Sequence, residues 1–560
     1  MSAGKKVAEM KNKNQMKNKK QMKNKKQMKN HWKQICAGLL TAALTGTVLP
    51  PQTVYANTEP VTTPEVSAVT GRMEFEEAAV IRVISDGNSG SQANGTVNTL
   101  RSVREQLWQY DWDCYSNDYY YSKLTQQERL LYERMDAVCG QLLGSDSLAA
   151  ATYEVNRNGK KAEGRGTKMI STQGLSSDQV KTVYELFIYA NPQYYFLSNT
   201  RYVKTGEVAL GIYDAFASGS ARARATKQVF AKVAAMQRQI NAAGTVYDTE
   251  LQIHELICDE VDYQTADYAV ADAADPYYTQ TIYGALTTGK TVCAGYTKLY
   301  ELLCNYFGID CIAVTSDDHA WNLVRYGTYW YIVDTTWDDS YDRNAYFHIS
   351  ERQMRRTDQA DSHVAKSLYA GLMPTADAAF PESLKSFYGL EQPLVQITDT
   401  ADGLTITMDS AAGSVYYTLD GTEPGVEDVY VDPIELRDAG DYIVTAVTMK
   451  DGSLPSAYEI FPVRIADGSV SVQSVKNLQG KQLRVLFRAD GSYDGYEISY
   501  ASKRDFSNQK SAKIGTAAAR IKKLVIGKTY YVRVRGYRTD AYGNYYYTPY
   551  SKAKKMKVTR

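Results

Sequence analysis

The sequence predicts a multidomain protein: an α+β unit followed by two β-sandwich modules. Three observations predict it. Apolar residues recur at three- and four-residue steps through several segments between Tyr119 and Phe307, and strand patterns follow. From about residue 395 onward, short alternating strands separated by Gly and Asp turns fill two successive blocks. The length, 560 residues, suits two to four domains. The tyrosine excess, 46 Tyr against 12 Phe, fits β-rich modules with wet faces, and a glycan- or polymer-binding surface is the alternative explanation.

The chain opens with a basic six-residue repeat, "MKNKNQMKNKKQMKNKKQMKN", which has no apolar face and cannot pack a core. An apolar run from Ile35 to Leu49 and the small-x-small tripeptide Val54–Ala56 follow, so residues 1–56 read as a signal peptide cleaved after Ala56. The run is short and broken by Thr41, Thr45 and Thr47, which argues against a membrane anchor. Twelve of the 64 basic residues and one of the 63 acidic ones lie in the first 34 positions. The remainder holds 52 against 62, a mildly acidic body that argues against nucleic acid as the main partner.

Residues 57–110 are rich in Ser, Thr, Gly and Asn and read as a linker or loosely ordered arm. Residues 111–370 form the α+β unit. Its helices are expected over Tyr119–Leu143, from Ser176 (with Ser-x-x-Gln as a capping box), over Ala221–Ala243 and from Asp248 toward Gln264. A further helix starts at Cys293, with Tyr296, Leu299, Tyr300, Leu303 and Phe307 on one face and Gly308 at its end. "CIAVTS" reads as a strand, and "HAWNLVRYGTYWYIVDTTWDD" as two strands around a turn at Tyr326-Gly327. A connector, 371–394, leads to the β-sandwiches at 395–466 and 467–560.

Six cysteines follow the leader: 114, 139, 258, 293, 304 and 311. That is too sparse for disulfides to hold the fold. Cys293 lies at a helix N-terminus, where unpaired N–H groups and the dipole favour a thiolate. Cys304, on the last turn, and Cys311, in an apolar strand, read as small buried hydrophobes, with a bridge between them left open. A cysteine nucleophile needs a base and a group to orient it. If the turn at Tyr326-Gly327 is a two-residue loop, His319 lies directly opposite Asp334, with Cβ atoms about 5 Å apart on one face. A loop two residues longer pairs His319 with Thr336 instead. "HELIC", His254 to Cys258, is one residue away from a zinc-protease motif, but no third ligand is evident nearby.

"TVCAGYTKLYELLCNYFGIDC", "DDHAWNLV" and "YWYIVDTTWDD" together resemble the transglutaminase-like (papain-like thiol) superfamily, and its bacterial secreted branch near the kyphoscoliosis-peptidase-like group. "LQIHELICDEVDYQ" and "NPQYYFLS" resemble the helices that precede the core there. The resemblance implies a papain-like/transglutaminase-like core. It also implies that Cys293 is nucleophile, His319 general base and acid, and Asp334 orienter, with no metal and no cofactor. Gln280 or Tyr283 are candidate oxyanion donors beside the Cys293 N–H. Trp321 and Trp337 flank the triad as candidate walls of a substrate channel, or as packing. "SVYYTLDGTEPG" is similar to the chitobiase/β-hexosaminidase C-terminal module, and "GYEISYASKRDF" with "LVIGKTYYVRVRGY" to fibronectin type III.

The expected function is that of a secreted or non-covalently wall-associated cysteine enzyme. Its substrates would be peptide or protein amides in the extracellular or cell-envelope space. Cell-wall polymer is a further partner expected of the tail modules, and no transmembrane span is expected after signal cleavage. The alternative is a catalytically silent extracellular scaffold or cell-wall/glycan-binding protein.

Overall fold

The computed structural model describes residues 76–85, 116–157, 160–264, 278–340 and 343–559, all within the unit Val69–Arg560. The expected signal peptide and Cys114 lie outside the described residues.

Two helices open the α+β unit where one was expected, α1 (Tyr119–Lys123) and α2 (Gln126–Leu143). The break has a local cause. Leu124 turns extended, and Thr125 then caps α2 in a reciprocal box with Glu128. The box expected at Ser176 and Gln179 starts α3 (Ser177–Ala190) in the same way. Helices α4 (Gly219–Gln237) and α5 (Val246–Glu260) follow.

A six-stranded sheet is interleaved in sequence with α1 to α3 and ends before α4, and it was not expected. Its strands are β1 (Glu76–Ser85), β2 (Ala151–Arg157), β3 (Lys160–Gly166), β4 (Ile170–Ser171), β5 (Leu197–Lys204) and β6 (Glu207–Ile212), in spatial order β3-β2-β1-β5-β6-β4. Two expectations are corrected here. The arm expected over 57–110 supplies β1, which pairs in parallel with β5. "NPQYYFLS" is no helix: after Asn191 the chain turns and then enters β5 at Leu197. Pro192 and the tight turns that follow it deny that stretch a helical ladder.

The element after α5 is short. Asp262–Tyr263 (β7) pairs in parallel with Lys290–Thr291 (β8), and α6 (Cys293–Tyr306) begins directly beyond. Strands β9 (Cys311–Thr315), β10 (Ala320–Tyr326), β11 (Tyr329–Val333) and β12 (Phe347–Ile349) form an antiparallel sheet in the order β12-β11-β10-β9. Every residue of β10 is buried, which makes it the central strand against α6. Two short helices, α7 (Thr335–Ser340) and α8 (Glu351–Met354), flank β12 in sequence. The connector is packed rather than loose: Ala376 is fully buried, and the Phe380 ring lies 4.2 Å from that of His348.

Each tail block is a pair of antiparallel sheets closed over its own apolar cluster. In the first, Ile406, Met408 and Leu436 meet Val444, Ala446, Phe461 and Val463. In the second, Val472, Leu483, Val485 and Phe487 meet Ile498, Val532 and Val534. Leu524 and Tyr530 belong to that core, and the Tyr530 hydroxyl accepts the Val525 N–H at 3.2 Å, as a corner tyrosine does. The molecule is therefore an α+β core followed by antiparallel β-sandwich modules.

The joint between core and first sandwich is charged and buried. Arg464 bonds Glu133 of α2 at 2.5 and 2.9 Å and Asp441 at 2.9 Å, with Glu133 fully buried. Arg325 of β10 bonds Asp310 at 2.7 Å and the Ser456 carbonyl at 2.6 Å, and lies 3.9 Å over the Tyr458 ring. Ile443 and Leu454 of the sandwich belong to the same apolar cluster as the α+β core.

Candidate active site

Cys293 is the first residue of α6, and it is buried. No side chain caps that N-terminus, because the N-cap position is Val292. The start of the helix is held by backbone and hydroxyl contacts instead. Val292 N–H donates to the Thr279 carbonyl at 3.3 Å, and the Thr291 hydroxyl donates to the same oxygen at 2.5 Å. Gly295 is required by this close approach. A Cβ there would collide with Thr291 Oγ1 and stand 2.9 Å from the Thr279 oxygen.

His319 is delivered by the tight turn from β9 to β10. Ser316 Oγ accepts the His319 N–H at 2.9 Å, and Ser316 N–H donates to the His319 carbonyl at 2.9 Å. Asn322, three residues on, donates to the Thr297 carbonyl of α6 at 3.1 Å and so ties β10 to the helix that carries Cys293.

The register of the β10–β11 hairpin differs from the expected one. Tyr326 pairs with Tyr329 and Arg325 with Trp330, so the turn is Gly327-Thr328, with Gly327 at φ 67°. The ladder ends at Asn322–Val333, and His319 is not directly opposite Asp334. The physical reason is that glycine occupies the left-handed position at the first turn residue, which moves the loop one place along the chain. The shift is two positions in pairing. A shift of two preserves faces, so Asp334 still reaches His319 as a diagonal neighbour. His319 Nε2 and Asp334 Oδ2 are 2.6 Å apart, both side chains buried. Cys293 forms a side-chain hydrogen bond with the same imidazole, whose remaining nitrogen is Nδ1.

Asp334 is fixed by its backbone surroundings. It stands just ahead of α7, and its Oδ1 accepts the Trp337 N–H at 3.0 Å while its own N–H donates to Tyr346. Burial alone would raise its carboxyl, but His319 and then His363 hold it well below the usual carboxylate range. Burial opposes charge on His319, and Asp334 overcomes that, so the ring is pushed up to about 10.

The other candidates divide. Gln280 is buried, its side-chain carbonyl takes only a long 3.5 Å contact from Asn199, and its Nε2 has no partner among the described residues. It lies next to Thr279, which grips the start of α6. Tyr283 turns elsewhere, into a ring cluster with Tyr195, Phe216 and Tyr278, and its hydroxyl reaches Gln228 at 3.4 Å. Trp321 and Trp337 both pack on His319, at ring separations of 6.1 and 5.8 Å; Trp321 is buried and Trp337 is half-buried.

Three residues were not singled out from the sequence. His363 bonds Asp334 Oδ2 at 2.8 Å. The phenols of Tyr263 and Tyr189 are raised by burial first and then by the charge of Cys293. Tyr263 ends β7, which pairs with the strand ahead of Cys293 only in the fold.

Cys304 and Cys311 are free, fully buried and raised by burial, as expected of space-filling thiols. The "HELIC" histidine is a structural one. His254 Nε2 bonds Asp338 Oδ2 at 2.9 Å, and Cys258 Sγ lies 3.7 Å from the Thr335 carbonyl. Among the described residues, His319, Asp334 and His363 are the one group whose donor atoms lie close enough to share a metal ion, all within 4.8 Å. As they stand the two nitrogens lie 2.6 and 2.8 Å from one carboxylate oxygen, which is hydrogen-bond geometry.

Residues 234–335 match the family model Transglut_core, described as the transglutaminase-like superfamily, and that span contains Cys293, His319 and Asp334. This region is a transglutaminase-like core. The chain is also similar to kyphoscoliosis peptidase of mouse, 35% identical over 68 residues, 9% of this chain and 10% of that protein. The human kyphoscoliosis peptidase is 32% identical over 97 residues, 14% of each chain. The chain thus spans about a tenth to a seventh of the length of the curated relatives it matches. Among solved structures, three fibronectin domains of chicken CNTN1 match at 15% identity, covering 31% of this chain and 70% of theirs with a TM-score of 0.19. A structure titled "Myokine structure" matches at 20% identity, covering 17% of this chain and 98% of its own with a TM-score of 0.14.

Proposed function

We propose that this protein is a secreted cysteine enzyme that breaks or exchanges peptide or protein amides through a thioester on Cys293. One observation carries the reading: a thiol at the start of an α-helix shares a hydrogen bond with an imidazole whose far nitrogen is held by a buried aspartate. A helix start and an adjacent imidazolium both favour the thiolate.

The Cys293 thiolate attacks the amide carbonyl carbon, and the carbonyl π electrons move to oxygen. On collapse the C–N bond breaks, and the leaving nitrogen takes the proton from His319 Nδ1. Neutral His319 then removes a proton from water or from an incoming amine, which attacks the thioester. The C–S bond breaks and the thiolate–imidazolium pair returns. Water gives an acid, hence proteolysis or deamidation; a lysine-type amine gives a new amide, hence a crosslink. The oxyanion would be met by the Cys293 N–H and by the unpartnered Gln280 Nε2.

The test is incubation of the full chain with a mixture of protein amide donors and a labelled primary amine, beside Cys293→Ala. The expected result is label incorporation or cleavage that falls at least about a thousandfold in the variant, with unchanged thermal unfolding. Neither product from the wild-type protein, or equal product from both, defeats the reading and leaves the silent scaffold.

A further inference from the structure

Asp334 Oδ2 accepts two imidazoles, from His319 at 2.6 Å and from His363 at 2.8 Å. His363 closes the short 3₁₀ turn Asp361–His363, on the irregular segment that follows α8. Its side chain is 1% exposed. The ring is fitted among the residues of the site: 4.8 Å from Trp321, 5.0 Å from His319, and parallel to Tyr346 at 6.4 Å. Its segment is anchored beyond the ring. Lys366 N–H donates to the Thr315 carbonyl at 2.9 Å, and its ammonium bonds buried Glu185 at 3.1 Å.

Both nitrogens of His363 face acceptors. Nδ1 is 2.9 Å from the Gln359 carbonyl oxygen, which can only accept. Nε2 faces an ionised carboxylate oxygen that already takes the His319 N–H. The ring is therefore held as a donor toward Asp334. Asp334, His319 and the Tyr346 phenol face it; Lys366 is turned to Glu185, and Asp361 is exposed.

We propose that His363 is a positioning residue for this chemistry, a fourth member of the constellation that divides Asp334 between two imidazoles. The proposal rests on the thiol–imidazole reading of the site and not on the amide substrate. A carboxylate that holds an imidazolium too firmly makes it a poor acid for the leaving nitrogen, because proton transfer works best when the donor's pKa lies near the working pH. A second N–H on the same oxygen draws electron density from that grip and fixes the carboxylate's orientation. Sharing Asp334 thus keeps His319 aligned and less tightly held than an unshared Asp334 would hold it.

The test reads the alkylation rate of Cys293 by iodoacetamide against pH, in the full chain and with no substrate. His363→Ala is expected to move the alkaline limb, where His319 loses its proton, upward by about half to one pH unit. His363→Gln, whose side-chain amide replaces the donor, is expected to return the limb to within about 0.2 unit of wild type. On an amide substrate at neutral pH, kcat is expected to fall about tenfold in His363→Ala, with KM within about twofold. If His363→Ala fails to fold, the glutamine variant decides alone: a displaced limb overturns the donor role, and an unmoved limb supports it. If the alanine variant folds and keeps the wild-type limb, His363 is packing only and the proposal fails. A wild-type profile with no such limb would instead refute the thiol–imidazole reading itself.

Discussion

Two buried aspartates that each hold a histidine, Asp334 and Asp338, stand four residues apart in this core. His319–Asp334 spans 2.6 Å and His254–Asp338 spans 2.9 Å, and all four side chains are essentially buried. Both aspartates sit around α7. The pairs are nevertheless pushed in opposite directions. The Asp334 carboxyl is held well below the ordinary range, whereas burial raises that of Asp338, and the imidazole and the Tyr346 N–H only offset it in part. Asp334 receives two imidazoles and a backbone N–H; Asp338 receives one imidazole, one backbone N–H and the repulsion of Asp334. The far nitrogens differ as well. His319 meets the Cys293 thiol, while His254 Nδ1 has no partner among the described residues. A histidine–aspartate pair is thus a structural clamp by default. What sets the His319–Asp334 pair apart is a third group on the imidazole and more donors on the carboxylate.

The same substitution is expected to act very differently at the two aspartates. Asp334→Asn is expected to lower kcat/KM about 10³-fold or more, because the amide no longer holds the working tautomer. Asp338→Asn is expected to leave kcat/KM within about threefold while costing roughly 2 kcal/mol of stability, the order expected when a buried polar partner is weakened. Steady-state kinetics beside urea unfolding separates the two; equal losses of activity would erase the distinction drawn here.

A smaller effect is expected at Gln280. Gln280→Leu keeps the buried volume and removes the unpartnered Nε2, so kcat is expected to fall about a hundredfold with little change in KM. Wild-type kcat in this variant would remove Gln280 from the oxyanion site.

The smallest effect is a pH dependence of stability. The His319 pKa is raised to about 10 in the folded protein. Its contribution is therefore fully present below the unfolded value near 6.5 and is lost as pH rises toward about 10. Asp334 is lowered, so its contribution is present above about 3.9 and lost as pH falls. Thermal unfolding of the wild type should decline between about pH 6.5 and 10, and His319→Gln should flatten that decline. A decline of equal slope in the variant would place its origin elsewhere.

The three candidate residues, Cys293, His319 and Asp334, were legible because each combines a chemical type with a place on an element: a cysteine at a helix start, a histidine ahead of a strand, an aspartate after one. The hairpin register was misjudged by two positions, and the site survived the error because side chains alternate with a period of two. His363 was not legible as part of the site. It lies on a segment without periodicity, and only the fold brings it to Asp334, 29 residues away in sequence. The six-stranded sheet was missed for a related reason. β1 pairs with β5 across more than a hundred residues, and "NRNGKKAEGRGT" in β2 and β3 lacks the alternation that marks a half-buried strand. The sandwiches were easier to read, since their strands follow one another at short intervals in the sequence, divided by glycine and aspartate turns.

The buried bond between Arg464 and Glu133 has a consequence for how the tail can be used. Losing the first sandwich would take Arg464 from Glu133, which would keep only the Tyr121 hydroxyl, and would uncover the apolar side chains that Ile443 and Leu454 cover, so a chain ended at the connector is expected to be less stable. The first sandwich is therefore a handle, not a leash. Its outer face stands at a reach from Cys293 that is set by packed side chains rather than by the statistics of a loose chain.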